Sequence, residues 1–142
     1  MESDSPSKPQ LSADELTKLR EAVLERAKQL SEDDLRVLLS KEAKVEKRVS
    51  AVSAALPRFV AHVRLGFDLL RDYARGNYRS IPWWSVASVA AGLSYVLLPT
   101  DLIPDFIPGI GFLDDAAVLA AVMAGIREDL KKYTAARGIP LE

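Results

Sequence analysis

A chain of 142 residues is ordinarily one domain and is long enough to bury a core, and 49% hydrophobic with 27% charged residues excludes a disordered chain. The net charge of −1 gives no global attraction to nucleic acid. The absence of cysteine excludes a disulfide framework and thiolate chemistry, and it fits a reducing compartment.

The chain begins with a polar stretch, residues 1–10, which contains two prolines and predicts a disordered tail. This stretch lacks the basic and apolar regions of a secretory signal, so we expect a protein that is not secreted, in the cytoplasm or on the cytoplasmic face of a membrane. Ser12 followed by Glu15 is typical of a capping box. It predicts a first amphipathic helix over residues 12–30.

Ser31 with Asp34 repeats the capping signal and predicts a second helix that continues to about residue 56. Apolar residues recur along it at spacings of three and four, and Glu42 takes one position in that apolar row. We expect four cations of this helix in solvent: Lys41, Lys44, Lys47 and Arg48. Residues 11–56 therefore predict an amphipathic N-terminal helical pair.

Pro57 suits the first turn of a third helix, which Gly76 and Asn77 should end. The apolar pattern of this helix predicts that its charged side chains face solvent, at spacings that allow ion pairs within the helix. They are Arg64, Asp68, Arg71, Asp72 and Arg75. The one histidine, His62, lies mid-helix beside apolar neighbours, and we expect a structural role for it.

A fourth helix is predicted from about Pro82 to Leu97, inside a stretch without charge over residues 80–100. That stretch is long enough to be a transmembrane candidate, and Trp83 and Trp84 would suit a headgroup region. Its many Ser, Ala and Gly residues contribute little to insertion, so the buried core of a soluble bundle is an equal alternative.

A fifth helix is predicted from about Asp114 to Arg137. Small residues recur every fourth position on the last two helices and predict a close-packed apolar hairpin: Ser88, Gly92, Ala117, Ala121 and Gly125. No segment alternates with period two, so we predict an all-α fold of about five helices, with residues 57–138 as its helical core.

The turn between these two helices, PTDLIPDFIPGIGFLDD over residues 99–115, holds four carboxylates. No Lys or Arg occurs from residue 80 to residue 126, so no basic neighbour in sequence offsets their charge. Backbone N–H groups at helix starts can replace the missing cations. The residues expected to shape the turn are Pro99, Pro104, Pro108 and Gly111.

This turn closely resembles the signature of the YkvA family, a small bacterial and archaeal domain of unknown function. The resemblance covers about 60 residues, over 67–126, and it rests on a specific motif made of Asp101, Pro104, Asp105, Pro108, Gly111, Asp114 and Asp115. It implies a helical protein, with many members predicted to be membrane-associated. It supplies no catalytic residues.

The acidic turn also suggests a divalent-cation site, because Mg²⁺ and Ca²⁺ take carboxylate and carbonyl oxygens. The ligands would be Asp101, Asp105, Asp114 and Asp115. Their spacing matches no EF-hand, and no other cofactor is indicated.

An enzyme is the least favoured interpretation, since the chain has no nucleophile elbow, phosphate-binding loop or second histidine. The favoured hypothesis is a non-enzymatic module that contacts a membrane or another protein through residues 81–99, and not nucleic acid. The competing hypothesis is a soluble helical bundle whose acidic turn binds a divalent cation, with a cryptic metal-dependent enzymatic role.

Overall fold

The computed structural model describes residues 13–97 and 112–138, with the side chains at 96, 97 and 112–115 left outside the description. The described residues form helices and no strands, which confirms the all-α prediction. They contain seven helices where about five were predicted. These are α1 (Ala13–Ala27), α2 (Glu32–Ser40), α3 (Glu42–Ser50), α4 (Pro57–Ala74), α5 (Trp83–Leu97), α6 (Phe112–Gly125) and α7 (Arg127–Arg137).

The predicted second helix is two helices, because the chain leaves helical geometry at Lys41, with φ −100° and ψ 4°. No Gly or Pro marks this position in the sequence. The reason is tertiary: α2 packs on α4 and α5, whereas α3 packs on α4. The bend lets both helices bury their apolar side chains, including Leu38 of α2 and Val45 of α3.

The predicted fifth helix is also divided, at Ile126, where φ is −119° and ψ is 28°. Ile126 keeps its side chain in the core across the break. Gly125 precedes the break and lies beside Arg20 of α1, so a side chain there would approach the guanidinium group. The helix that carries positions 114 and 115 starts at Phe112, two residues before the predicted start.

Several predicted helix ends are confirmed. Ser31 Oγ accepts the Asp34 N–H at 3.2 Å, and the Asp34 carboxylate accepts the Ser31 N–H at 3.0 Å, which completes the capping box. Pro57 lies in the first turn of α4, and Gly138 ends α7 in the left-handed conformation, with φ 70°. The signal at Ser12 lies outside the described residues.

The core is built around α5, which packs on α1, α2, α4 and α6. Every residue from 85 to 93 is buried. Helices from the predicted N-terminal pair contribute to the same core, with Val23 of α1 and Leu35 of α2 both buried.

No helix in residues 13–97 and 112–138 is both long enough and apolar enough to span a bilayer. The transmembrane candidate predicted over residues 80–100 is not found among these helices. α5 occupies 15 residues of that stretch.

The close-packed hairpin is present in the pairing of α5 with α6. A Cβ added at Gly92 would lie 3.5 Å from Leu119 Cδ1 and 3.6 Å from both Val122 methyl groups. The small residue therefore lets the two backbones approach, as the spacing predicted. Gly125 belongs to a different contact, with α1, although it lies on the same row of small residues.

Candidate functional site

The acidic turn, which carries the sequence motif, lies mostly outside the described residues. This holds for Asp101 and Asp105, and for the residues expected to shape the turn, namely Pro99, Pro104, Pro108 and Gly111. Asp114 and Asp115 belong to the first turn of α6, where the structure describes their backbone but not their side chains. The predicted cation site therefore stays a prediction. Among the side chains that are described, no three potential metal ligands are grouped.

The other end of α5 is described in full, and it gathers aromatic and basic side chains from three helices and one connection. We name it the basic–aromatic end and define it by Arg75, Tyr78, Arg79, Trp83, Trp84 and Arg137. These residues come from the end of α4, the connection to α5, the start of α5 and the end of α7.

The connection from α4 to α5 is folded tightly against the end of α4. Gly76 takes a left-handed conformation, with φ 78°, which a residue with a Cβ adopts only at a cost. The N–H groups of Asn77 and Tyr78 then both donate to the backbone oxygen of Asp72, at 2.8 and 3.2 Å. This geometry holds Tyr78 and Arg79 beside the start of α5.

The Asp72 carboxylate of α4 forms hydrogen bonds with side chains at the end of α7. It accepts hydrogen bonds from Tyr133 Oη at 2.6 Å and from Arg137 Nη1 at 2.5 Å, and Arg137 Nη1 also donates to Tyr133 Oη at 2.8 Å. Burial raises the pKa of Asp72, but the hydrogen bonds from Tyr133 and Arg137 outweigh it and lower the pKa below its usual value. Burial, reinforced by the Asp72 charge, raises the pKa of Tyr133. The carboxylate is therefore ionised and the phenol neutral at pH 7.

Ring contacts complete this end of the molecule. The Arg79 guanidinium lies 4.3 Å from the centre of the Tyr73 ring, and Tyr73 packs on Trp83 with 5.8 Å between ring centres. Tyr78 meets Tyr133 edge to face, with 5.1 Å between centres. The rings of Tyr73, Trp83 and Tyr133 are largely covered, whereas Trp84 is 43% exposed.

A second buried bond joins α5 to α7 at the same end. The hydroxyl of Ser85, which is buried, donates to the Asp129 carboxylate. Burial raises the pKa of the neighbouring Tyr78, and the charge of Asp129 adds to the shift. Both carboxylates of this cluster, Asp72 and Asp129, are thus used within the protein. Arg75, Arg79 and the indole of Trp84 remain at the surface.

The outward charges of α4 pair differently from the within-helix pattern predicted for them. One pair is found as predicted, between Arg71 and Asp68 at 3.1 Å. Arg71 also pairs with Glu42 of α3, and Asp72 binds α7. These partners are 29 and 65 residues away in sequence, so no local spacing could reveal them.

A cleft of about 310 Å³ lies between α3 and α4. The side chains that line it are Glu42, Val45, Glu46, Val63, Arg64, Phe67 and Asp68. Its carboxylates at Glu42 and Glu46 are bound by Arg71 and Arg64.

His62 is half-buried on α4, and the structural role expected for it stays a prediction. Burial lowers its pKa, and the charge of Arg58 lowers it further, so the imidazole is neutral at pH 7.

The fold and this site together define a class of protein: a small all-helical protein that encloses one apolar helix and exposes a basic and aromatic surface where that helix begins. A family model described as a protein of unknown function, DUF1232, matches residues 85–121, which include most of α5 and the start of α6. The chain is also 36% identical over 74 residues to the uncharacterized membrane protein YkvA of Bacillus subtilis (strain 168), over 52% of this chain and 70% of that protein. No solved structure matches it. The chain belongs to the YkvA family, whose function is unknown.

Proposed function

We propose that this protein is a non-enzymatic module that attaches to the surface of a membrane through its basic–aromatic end. Two observations support the proposal. The relative in Bacillus subtilis is named a membrane protein, and Trp84 is exposed beside the basic residues Arg75 and Arg79. The exposed indole is the observation that carries the proposal.

The burial of α5 narrows the surface that lipid could contact. Within residues 81–95, Pro82 and Trp84 are exposed, Trp83 and Ser94 are half-buried, and the remaining residues are buried. A surface attachment therefore needs only the start of the helix, while its apolar body remains in the protein core.

Tryptophan and arginine are suited to the two layers of a membrane surface. An indole ring is favoured at the boundary between headgroups and acyl chains, because its body is apolar and its N–H can still find a polar partner. A guanidinium group just outside that boundary can donate hydrogen bonds to lipid phosphates. Trp84 would insert, and Arg75 and Arg79 would contact the headgroups.

Co-sedimentation of the full chain with vesicles tests this proposal. We expect Trp84→Ala to weaken binding about tenfold or more, a change of about 1.4 kcal/mol. Val37→Ala is the matched control, because Val37 is the other large apolar residue found exposed in the described chain, at 55%, and it lies on α2. Equal binding by the wild type, Trp84→Ala and Val37→Ala would refute the proposal.

Fluorescence gives an independent readout of insertion. In the Trp83→Phe variant, Trp84 is the one remaining tryptophan. Its emission should shift to shorter wavelength when vesicles are added, because the indole leaves water. An unchanged spectrum in a variant that still sediments with vesicles would show that another surface makes the contact. Binding to a purified protein and not to vesicles would favour a protein partner instead.

A further inference from the structure

Helix α3 carries acidic residues on one side and basic residues on another, and its acidic residues form ion pairs with arginines of α4. Glu46 accepts from Arg64 Nε at 3.1 Å and from Arg64 Nη2 at 2.6 Å. Glu42 accepts from Arg71 Nε at 3.3 Å and also from Arg71 Nη2. Both glutamates therefore face α4 and have guanidinium partners there.

The basic side of α3 has no such partners. We define it by Lys41, Lys44 and Arg48, which follow one another at spacings of three and four residues and so lie along one side of the helix. Lys44 and Arg48 are exposed and Lys41 is half-buried. Within the part of the chain that the structure describes, no carboxylate forms a salt bridge with any of the three. Lys47 is exposed as well, and no carboxylate in the described residues forms a salt bridge with it.

The pairing of α3 with α4 places one end of this basic side, Lys41, at the end of α4 that leads into the basic–aromatic end. Glu42 binds Arg71, in the last turn of α4, whereas Glu46 binds Arg64, two turns earlier. The two helices therefore run antiparallel, and Lys41, which precedes Glu42, lies at the end of α4 where Arg75 follows Arg71.

We infer that the basic side of α3, formed by Lys41, Lys44 and Arg48, binds the headgroups of anionic phospholipids and makes membrane attachment selective for negatively charged bilayers. This inference rests on the proposed function and adds the lipid class. Its basis is charge complementarity: the acids of α3 are already neutralised by α4, so the free cations present an uncompensated positive surface. A lipid surface would also accept the exposed indole of Trp84, which nucleic-acid binding does not require.

The test compares two triple variants that each remove three positive charges. Lys41→Gln/Lys44→Gln/Arg48→Gln removes the basic side of α3. Lys28→Gln/Arg36→Gln/Lys131→Gln removes three cations outside α3. Each of them pairs with a carboxylate three residues before it in sequence, namely Glu25, Asp33 and Glu128. Far-UV circular dichroism establishes that both variants remain folded, and co-sedimentation then measures their partition onto vesicles.

The vesicles are phosphatidylcholine alone or phosphatidylcholine mixed with phosphatidylglycerol. In low salt, we expect the α3 variant to lose on the order of 10²-fold in partition onto the anionic vesicles, since each cation contributes about a factor of five there. Its partition onto phosphatidylcholine should equal that of the wild type. The control variant should lose only a few-fold, and high salt should remove the wild type's preference for anionic lipid.

Three results would overturn the inference. Equal losses in the two triple variants would assign the preference to net charge. An unchanged preference in the α3 variant would show that Lys41, Lys44 and Arg48 do not create it, while Trp84-dependent binding stays intact. Binding of a double-stranded DNA oligonucleotide that depends on α3, with no preference for anionic vesicles, would assign the surface to nucleic acid. If the wild type binds neither kind of vesicle, the proposed function itself fails.

Discussion

Replacing Gly66 with alanine tests a close approach of α4 to α5 in the core. A Cβ at this position of α4 would lie 3.0 Å from Leu93 Cδ1 and 3.1 Å from Val89 Cγ1, both on α5, and 3.4 Å from Met123 Cε on α6. The two α5 residues are completely buried. Their methyl groups have little space into which they could move, so the added carbon should force the helices apart.

The magnitude follows from two opposing effects. Alanine in place of glycine inside a helix contributes up to about 1 kcal/mol through the restricted unfolded chain. Overpacking a well-filled core costs about 1 to 3 kcal/mol. We expect Gly66→Ala to lower the free energy of unfolding by about 1 kcal/mol.

Gly92→Ala is the matched control, because its added Cβ meets neighbours at ordinary contact distances of 3.5 and 3.6 Å. This variant should keep the helix-propensity gain and be about 0.5 to 1 kcal/mol more stable than the wild type. Urea unfolding followed by circular dichroism measures the free energy of unfolding of both variants, and in thermal unfolding their melting temperatures should differ by about 6 °C.

A double variant isolates the steric cause. Val89→Ala removes the methyl group that lies 3.1 Å from the new Cβ. The loss in Gly66→Ala/Val89→Ala should therefore be smaller than the sum of the two single losses. This account of the packing would be refuted if Gly66→Ala were as stable as Gly92→Ala. It would also be refuted if the loss of stability in the double variant equalled the sum of the two single losses.

Three further variants test the polar contacts. Tyr133→Phe should lower the free energy of unfolding by about 1.5 kcal/mol, because it removes the hydrogen bond to the Asp72 carboxylate. NMR titration of this variant should show a higher pKa for Asp72, and an unchanged pKa would contradict the role given to this bond. Folding lowers the pKa of His62 below 6.5, so the unfolded chain takes up the proton at a higher pH than the folded chain does. Stability is therefore lost as pH falls from about 6.5 through the lower folded pKa. His62→Gln should abolish this part of the pH dependence measured by urea unfolding. Ser31→Ala should cost about 1 kcal/mol, whereas an unchanged urea midpoint would show that the cap does not stabilise α2.

Much of the fold could be predicted because its signals are local. The capping box at Ser31, the first-turn Pro57 and the terminal Gly138 each act within a few residues of the helix end they define. The all-α class, the close approach at Gly92 and the family also follow from period, composition and motif. The acidic turn is the strongest of these signals, and its role as a cation site stays a prediction.

The helix breaks and the charged contacts required the folded molecule. The break at Lys41 has no Gly or Pro beside it, and the break at Ile126 follows Gly125, which the spacing assigned to a row of packing residues. Each break serves packing against other helices. Asp72 meets Tyr133 and Arg137 across more than 60 residues of sequence, so the spacing of charges along α4 could not identify its partners. Local backbone chemistry sets where most of these helices start and stop, but burial against distant segments sets where they break and which charged side chains meet.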